Sequence, residues 1–138
     1  MVTFEEAKAY CERASRISYR ISRKLEEIGS LETVLTSTTQ HIKTDNVLSS
    51  GNQNKFTDMM AVICDLKTEC EQMALEKCEI IRNIEQIDNE KVFKVMYYKY
   101  VNGLRPEEIC DKAEISIRQM YKLIREGIEK MQNILDIQ

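Results

Sequence analysis

Apolar and small residues recur at alternating steps of three and four through two long stretches of this chain, and that rhythm constrains the fold more than any other feature. In the first stretch the series is Phe4, Ala7, Cys11, Ala14, Ser18, Ile21, Leu25 and Ile28, extended by Leu31 and Leu35. Such spacing places one residue per turn on a single face of an α-helix, in the heptad manner of a coiled coil. Thr3 and Glu6 have the positions of a capping box that would start this helix. In the second stretch the seam is Phe56, Met59, Ile63, Leu66, Cys70, Met73, Lys77, Ile80, Ile84 and Ile87, with one polar member, Lys77. Two helices of matching length and seam predict a coiled-coil-like hairpin or, equally, two partners across a dimer. Methionines in the second seam make its packing tolerant. Only 4 Gly and 1 Pro interrupt the 138 residues, which argues against a loop-rich β architecture.

Residues 36–54 break the rhythm. Their Ser, Thr, Asn and Gln content, with Gly51 near the end, reads as a loop between the helices. After residue 87 the texture changes to short helices with sharp punctuation. Asp88 or Asn89 can cap a helix from Glu90 to about Val101, and Asn102-Gly103 can end it. Pro106 suits the first position of a brief helix reaching about Lys112. A turn, Ala113-Glu114-Ile115, leads to Ser116 as N-cap of a last helix from Ile117 to about Leu135. The expected fold is therefore all-α: a long hairpin over 1–87 and a helix-turn-helix over 88–138.

Helix, three-residue turn and longer helix is the pattern that presents a recognition helix to duplex DNA. Ile109, Cys110, Ile115, Met120 and Leu123 fall on the inner faces, with Ile124, Gly127, Ile128 and Met131 continuing the last helix's inward stripe. Ser116, Ile117, Arg118, Gln119, Tyr121, Lys122 and Arg125 are left to face outward as candidate DNA-binding residues. Arg118 suits guanine, Gln119 adenine, and Ile117 or Tyr121 a thymine methyl. Lys122 and Arg125 suit phosphates.

Net charge over the whole chain is −3, so any attraction to nucleic acid has to be local. Residues 116–135 carry four basic and two acidic side chains, while 88–138 carries nine of each. A single module so weakly charged binds DNA weakly, and dimerisation would help by effective concentration. A second candidate basic surface is the row Arg13, Arg16, Arg20 and Arg23, which the heptad frame puts on the outer face of the first helix, away from the acidic second one.

The stretch Val95-Met96-Tyr97-Tyr98-Lys99-Tyr100-Val101-Asn102-Gly103-Leu104, followed by Glu107-Glu108-Ile109-Cys110 and Ile115-Ser116, resembles region 4 of sigma-70-type factors. Met120-Tyr121-Lys122-Leu123 is closer to small phage and prophage late-gene regulators of the ArpU/RinA kind, and Asp45 to Gly51 is similar to a connector in such proteins. The resemblance covers about residues 20–135 and is densest after residue 92. It implies a sequence-specific transcriptional regulator of phage origin that binds double-stranded DNA in a bacterial cytoplasm, with RNA polymerase as a further partner. Three positions depart from the pattern: Glu114 stands where Gly is usual, Ala113 replaces a larger aliphatic, and Arg105 replaces a capping Ser or Thr. Alternative uses of the same parts are a polymerase-binding module that does not read DNA, and a small-terminase-like packaging component.

Other classes are disfavoured. The five cysteines, Cys11, Cys64, Cys70, Cys78 and Cys110, form no C-x-x-C pair, and the one histidine, His41, is far from them in sequence. No metal site and no cofactor are expected. All five thiols fall in helical patterns and read as reduced apolar filler. There is no Gly-rich phosphate loop and no spaced acid/base pair, so no enzymatic activity is expected. No signal peptide and no apolar run long enough for a membrane span stand out.

Overall fold

Thr3 starts the first helix as the capping box predicts: its hydroxyl accepts from the Glu6 N–H at 3.2 Å, and the Glu6 carboxylate accepts from the Thr3 N–H at 3.3 Å. The computed structural model describes residues 1–45 and 50–138, with side chains described outside 38–53. These residues form an all-α fold: α1 (Phe4–Asp45), α2 (Ser50–Glu85), α3 (Glu90–Met96) running into a π-helical turn (Tyr97–Val101), α4 (Pro106–Ala113) and α5 (Ile117–Ile137). No described helix is long and apolar enough to cross a membrane.

The loop expected over 36–54 is largely helix instead. Helix α1 continues to Asp45 and α2 begins at Ser50. Hydroxyls do not prevent this, because a helical Thr satisfies its own side chain by donating one turn back. Thr33 donates to the Gly29 carbonyl and Thr36 to that of Glu32, each at 2.9 Å. The centre of the expected connector, 46–49, lies outside the described residues, as do the side chains of most of its flanks and of His41.

Contacts divide the chain into two units, Arg20–Ala74 and Met1–Tyr19 with Leu75–Gln138. The first of these is an antiparallel helix pair. Ile28, Ile63, Leu66 and Cys70 form its buried cluster, with Leu31 and Leu35 packed on it. Lys24 reaches Glu69 at 2.6 Å and Lys67 reaches Glu32 at 3.2 Å, closing the two edges of the seam. Leu25, expected in the seam, is 55% exposed. The stripe of α1 widens by one position, so that Ala7, Ala14, Ile21, Ile28 and Leu35 alternate with Tyr10, Ile17, Lys24 and Leu31, while Cys11 stays buried beside it. Leu25 then falls on the flank, and Lys24 leans its stem over the seam.

The other unit draws from both sides of the boundary expected at residue 87. It gathers the start of α1, the end of α2 and every later helix around one core. Ala7, Cys11, Ala14, Ile80, Ile84, Val92, Val95, Met96, Tyr100, Ile109, Met120, Ile128 and Met131 are all buried there. Asn83, 4% exposed, ties three segments: its amide donates to the Tyr10 hydroxyl at 2.6 Å, and its Oδ1 accepts from Gln86 and Gln138. A buried amide satisfied on both sides rigidifies this corner. Gln132 donates to the Val2 carbonyl at 3.0 Å, and Val2 N–H donates to Asp136. The helix-turn-helix thus has the first turns of α1 and the last of α2 as part of its own core.

The cysteines divide by position. Cys11 and Cys70 are buried filler as expected, but Cys64 and Cys78 are exposed, because they sit on the faces of α2 turned away from its seam.

Candidate nucleic-acid interface

Helix α4 begins without a side-chain cap, since Arg105 offers none, but Pro106 at its first turn has no N–H to satisfy. It ends at Glu114, whose φ of 56° and ψ of 48° are left-handed. The Glu114 and Ile115 N–H groups both reach back to the Cys110 carbonyl, the latter at 3.1 Å, in the manner of a Schellman stop. Glu114 therefore adopts the left-handed conformation that Gly accepts more easily. Ser116 caps α5 by accepting from the Gln119 N–H at 3.1 Å.

Packing then sets which face of α5 turns outward. Met120, Ile124, Gly127, Ile128 and Met131 are buried. Met120 meets α4 through sulfur, its Sδ lying 3.9 Å from Cys110 Sγ. Gly127 lets α3 approach, because a Cβ there would collide with the Met96 side chain. Lys130 reaches Asp88 at 3.4 Å. With these residues inward, Ser116, Ile117, Arg118, Gln119, Tyr121, Lys122 and Arg125 are all exposed, as the spacing predicted. All but Ile117 line one shallow concavity on the helix's outer face. Ile117 is 51% and Tyr121 54% exposed, so both side chains are available on the outer face. Among the described residues Arg118 and Lys122 have no ion-pair partner, and Arg125 has a long contact with Glu129 at 3.7 Å.

The arginine row does not behave as its spacing implied. Arg13 forms an ion pair with Glu76 of α2, so it is not directed away from the second helix. The widened stripe of α1 explains this, since it places Arg13 at the edge of the seam, where a guanidinium reaches a neighbouring helix. Arg16 is exposed in the same unit. Arg20 and Arg23 belong to the Arg20–Ala74 unit, where they share a depression with Lys24, Glu26 and Glu27. Those carboxylates offset the positive charge.

Sequence reasoning missed the π turn. Asn102 N–H donates to the Tyr97 carbonyl at 3.1 Å, five residues back, and Leu104 N–H donates to that of Tyr98 at 3.0 Å. Gly103, at φ +65°, ends the segment as expected, but one residue more is wound in before it. The Tyr100 carbonyl is taken by the Ser15 hydroxyl at 3.0 Å. Tyr100 itself is 2% exposed, and burial, with Cys11 and Glu12 adding, holds its hydroxyl well above the usual tyrosine pKa. Nothing in the sequence marks such a turn, which depends on what packs against it; π turns are frequent near functional sites. Lys99 projects from it and lies 5.5 Å from the Tyr100 ring.

Among the described residues no group of three or more His, Cys, Asp or Glu is arranged to hold a metal ion. No curated protein and no solved structure matches the chain. A family model does, over residues 34–132, a span that includes α2, the π turn, the helix-turn-helix and most of α5. The chain belongs to that family, described as proteins of unknown function, DUF1492.

Proposed function

We propose that this protein is a sequence-specific DNA-binding transcriptional regulator that lays α5 in the major groove. The observation that carries the reading is the outer face of the first turns of α5. There Arg118, Gln119, Tyr121 and Lys122 stand exposed on a capped helix whose opposite face is locked into the core. Helices read base edges through such N-terminal residues. Arg118 and Gln119 are the base-reading pair, and Lys122 and Arg125 the phosphate contacts. The resemblance to sigma region 4 and to ArpU/RinA-type phage regulators agrees with this use. An operator of two half-sites would compensate for the modest charge of one module, so the reading includes a dimer on DNA.

Gel shifts on promoter fragments from the gene's own neighbourhood test the reading. Arg118→Ala with Lys122→Ala should abolish retention at moderate salt. The logarithmic salt dependence should fall by about 0.9 for each phosphate contact removed. Arg118→Ala alone should relax discrimination at one base position by about 1–3 kcal/mol. Unchanged retention by the double variant would remove α5 as the reading helix. Retention of RNA polymerase without any retention of DNA would replace the reading by a polymerase-binding one.

A further inference from the structure

A second concavity, of about 400 Å³, adjoins the outer face of α5, and the helix-turn-helix has no need of it. Its lining is apolar where Phe4, Ile124 and Ile128 meet, and Tyr100 and Tyr121 complete it. Lys8, Lys99 and Arg125 are the charged residues lining it, and no acidic residue is among them. All of these belong to one unit of the chain. The hydroxyl of the buried Tyr100 has no hydrogen-bond partner among the described residues, which in a packed interior is costly unless something else supplies one.

Like-charged side chains gathered over an apolar floor call for an occupant that is both anionic and apolar. A passing DNA strand would neutralise the lysines but leave the floor uncovered. A stable protein partner buries roughly 800 Å² on each side, more than eight lining residues present. A groove of this size falls instead in the range of about 300–1,000 Å³ that small ligands occupy. We propose that it binds a small organic anion with an aromatic or short aliphatic body. Lys8 and Lys99 hold the acidic group, and the body lies on Phe4, Ile124 and Ile128. Tyr121 and Arg125 line both this groove and the concavity on the recognition face. An occupant therefore engages two side chains that a duplex also needs, and ligand and DNA antagonise each other. The antagonism rests on the DNA reading; the binding of the anion does not.

The test uses the full chain and 8-anilinonaphthalene-1-sulfonate, an aromatic anion, with neutral N-phenyl-1-naphthylamine as its uncharged counterpart. Fluorescence titration without DNA should show saturable binding of the sulfonate and weaker binding of the neutral probe. K8A/K99A should weaken the sulfonate by roughly tenfold or more, since charge-assisted contacts are lost, and leave the neutral probe unchanged. Phe4→Ala should weaken both. Equal sulfonate binding by the parent and K8A/K99A chains would overturn the site, as would binding that appears only when near-ultraviolet circular dichroism shows lost packing. In a second arm, saturating sulfonate should reduce retention of a promoter duplex by the parent chain and not by K8A/K99A. Sulfonate binding as expected with undiminished duplex retention would overturn the antagonism alone. A chain that binds the sulfonate but never retains duplex would overturn the DNA reading and leave the groove standing.

Discussion

The two units of this chain solve the same problem, covering the apolar stripes of α1 and α2, with very different means. In the Arg20–Ala74 unit four described side chains are buried, two of them at 9% exposure, and ion pairs between Lys24 and Glu69 and between Lys67 and Glu32 line the edges. Two helices alone share only one seam, so each residue is covered from one side. In the other unit the same helices meet α3, α4 and α5, and Ala7, Cys11, Ile84, Val92, Met96 and Met131 lose all exposure. The difference teaches that a heptad rhythm specifies a stripe but not how deeply the stripe is buried. Depth comes from a third layer, and here that layer also carries the candidate DNA face.

Core truncation should separate the units most sharply. Ile84→Ala, at a position with 0% exposure, should cost about 2–5 kcal/mol in denaturant unfolding. Leu66→Ala, at 9% exposure, should fall at or below the lower end of that range. Amide exchange should also be faster throughout 54–74 than across α5. Equal costs and equal protection would erase the comparison.

Next in size is the close approach of α3 and α5. Gly127→Ala should destabilise by about 1–3 kcal/mol, because the added Cβ would overlap the side chain of Met96, which is fully buried. Pairing it with Met96→Ala should recover part of the loss; a double variant no better than the single one would mean the contact is not the cause. Smaller and of opposite sign, Glu114→Gly should stabilise the turn by about 0.5–1 kcal/mol, since Gly occupies the left-handed region without a Cβ penalty. A loss of melting temperature would contradict that turn geometry.

The smallest effect near neutral pH concerns Cys11. Burial, with Glu12 adding, pushes its thiol from 9.0 up to about 12. The folded state therefore keeps the proton where the unfolded chain gives it up. This contribution is intact below pH 9 and is lost as pH rises from there towards 12. Cys11→Ala should match the parent's pH profile below pH 8 and decline less steeply above 9. At pH 8 iodoacetamide should label exposed Cys64 and Cys78 rapidly and Cys11 only on unfolding, by mass spectrometry. Rapid labelling of Cys11 would show that its unit opens far more readily than its core implies.

Local chemistry was readable wherever the cause is local. The Thr3–Glu6 box, the Asn89 and Ser116 caps, the Gly103 stop and Pro106 at the start of α4 all act within a turn of the residue that signals them. The outward set on α5 was legible for the same reason, because Arg118, Tyr121, Lys122 and Arg125 share a face by helical spacing alone. The stretch expected as a connector is largely helix because hydroxyl-rich residues mark loops only on average, and Thr36 satisfies its own hydroxyl inside a helix. The outward placement of Arg13 failed because a widening of the stripe by one position brings a long side chain to the seam's edge.

Composition and periodicity alone determined that the chain is all-α, that two long helices carry matched stripes, and that a turn near residue 114 presents a helix beginning at Ile117. Tertiary structure decided that the ends of the long helices enter the core of the helix-turn-helix, through Tyr10, Asn83 and Gln138. It also decided that an extra residue winds into the turn at Tyr97–Val101, and that Lys8 and Lys99 line one groove with Phe4, Ile124 and Ile128 beside α5. The physical reason is range. Caps and stripes are stabilised by neighbours a turn away, whereas a buried amide, a π turn and a groove depend on residues about 55 to 124 positions apart in the chain, whose meeting no local preference encodes.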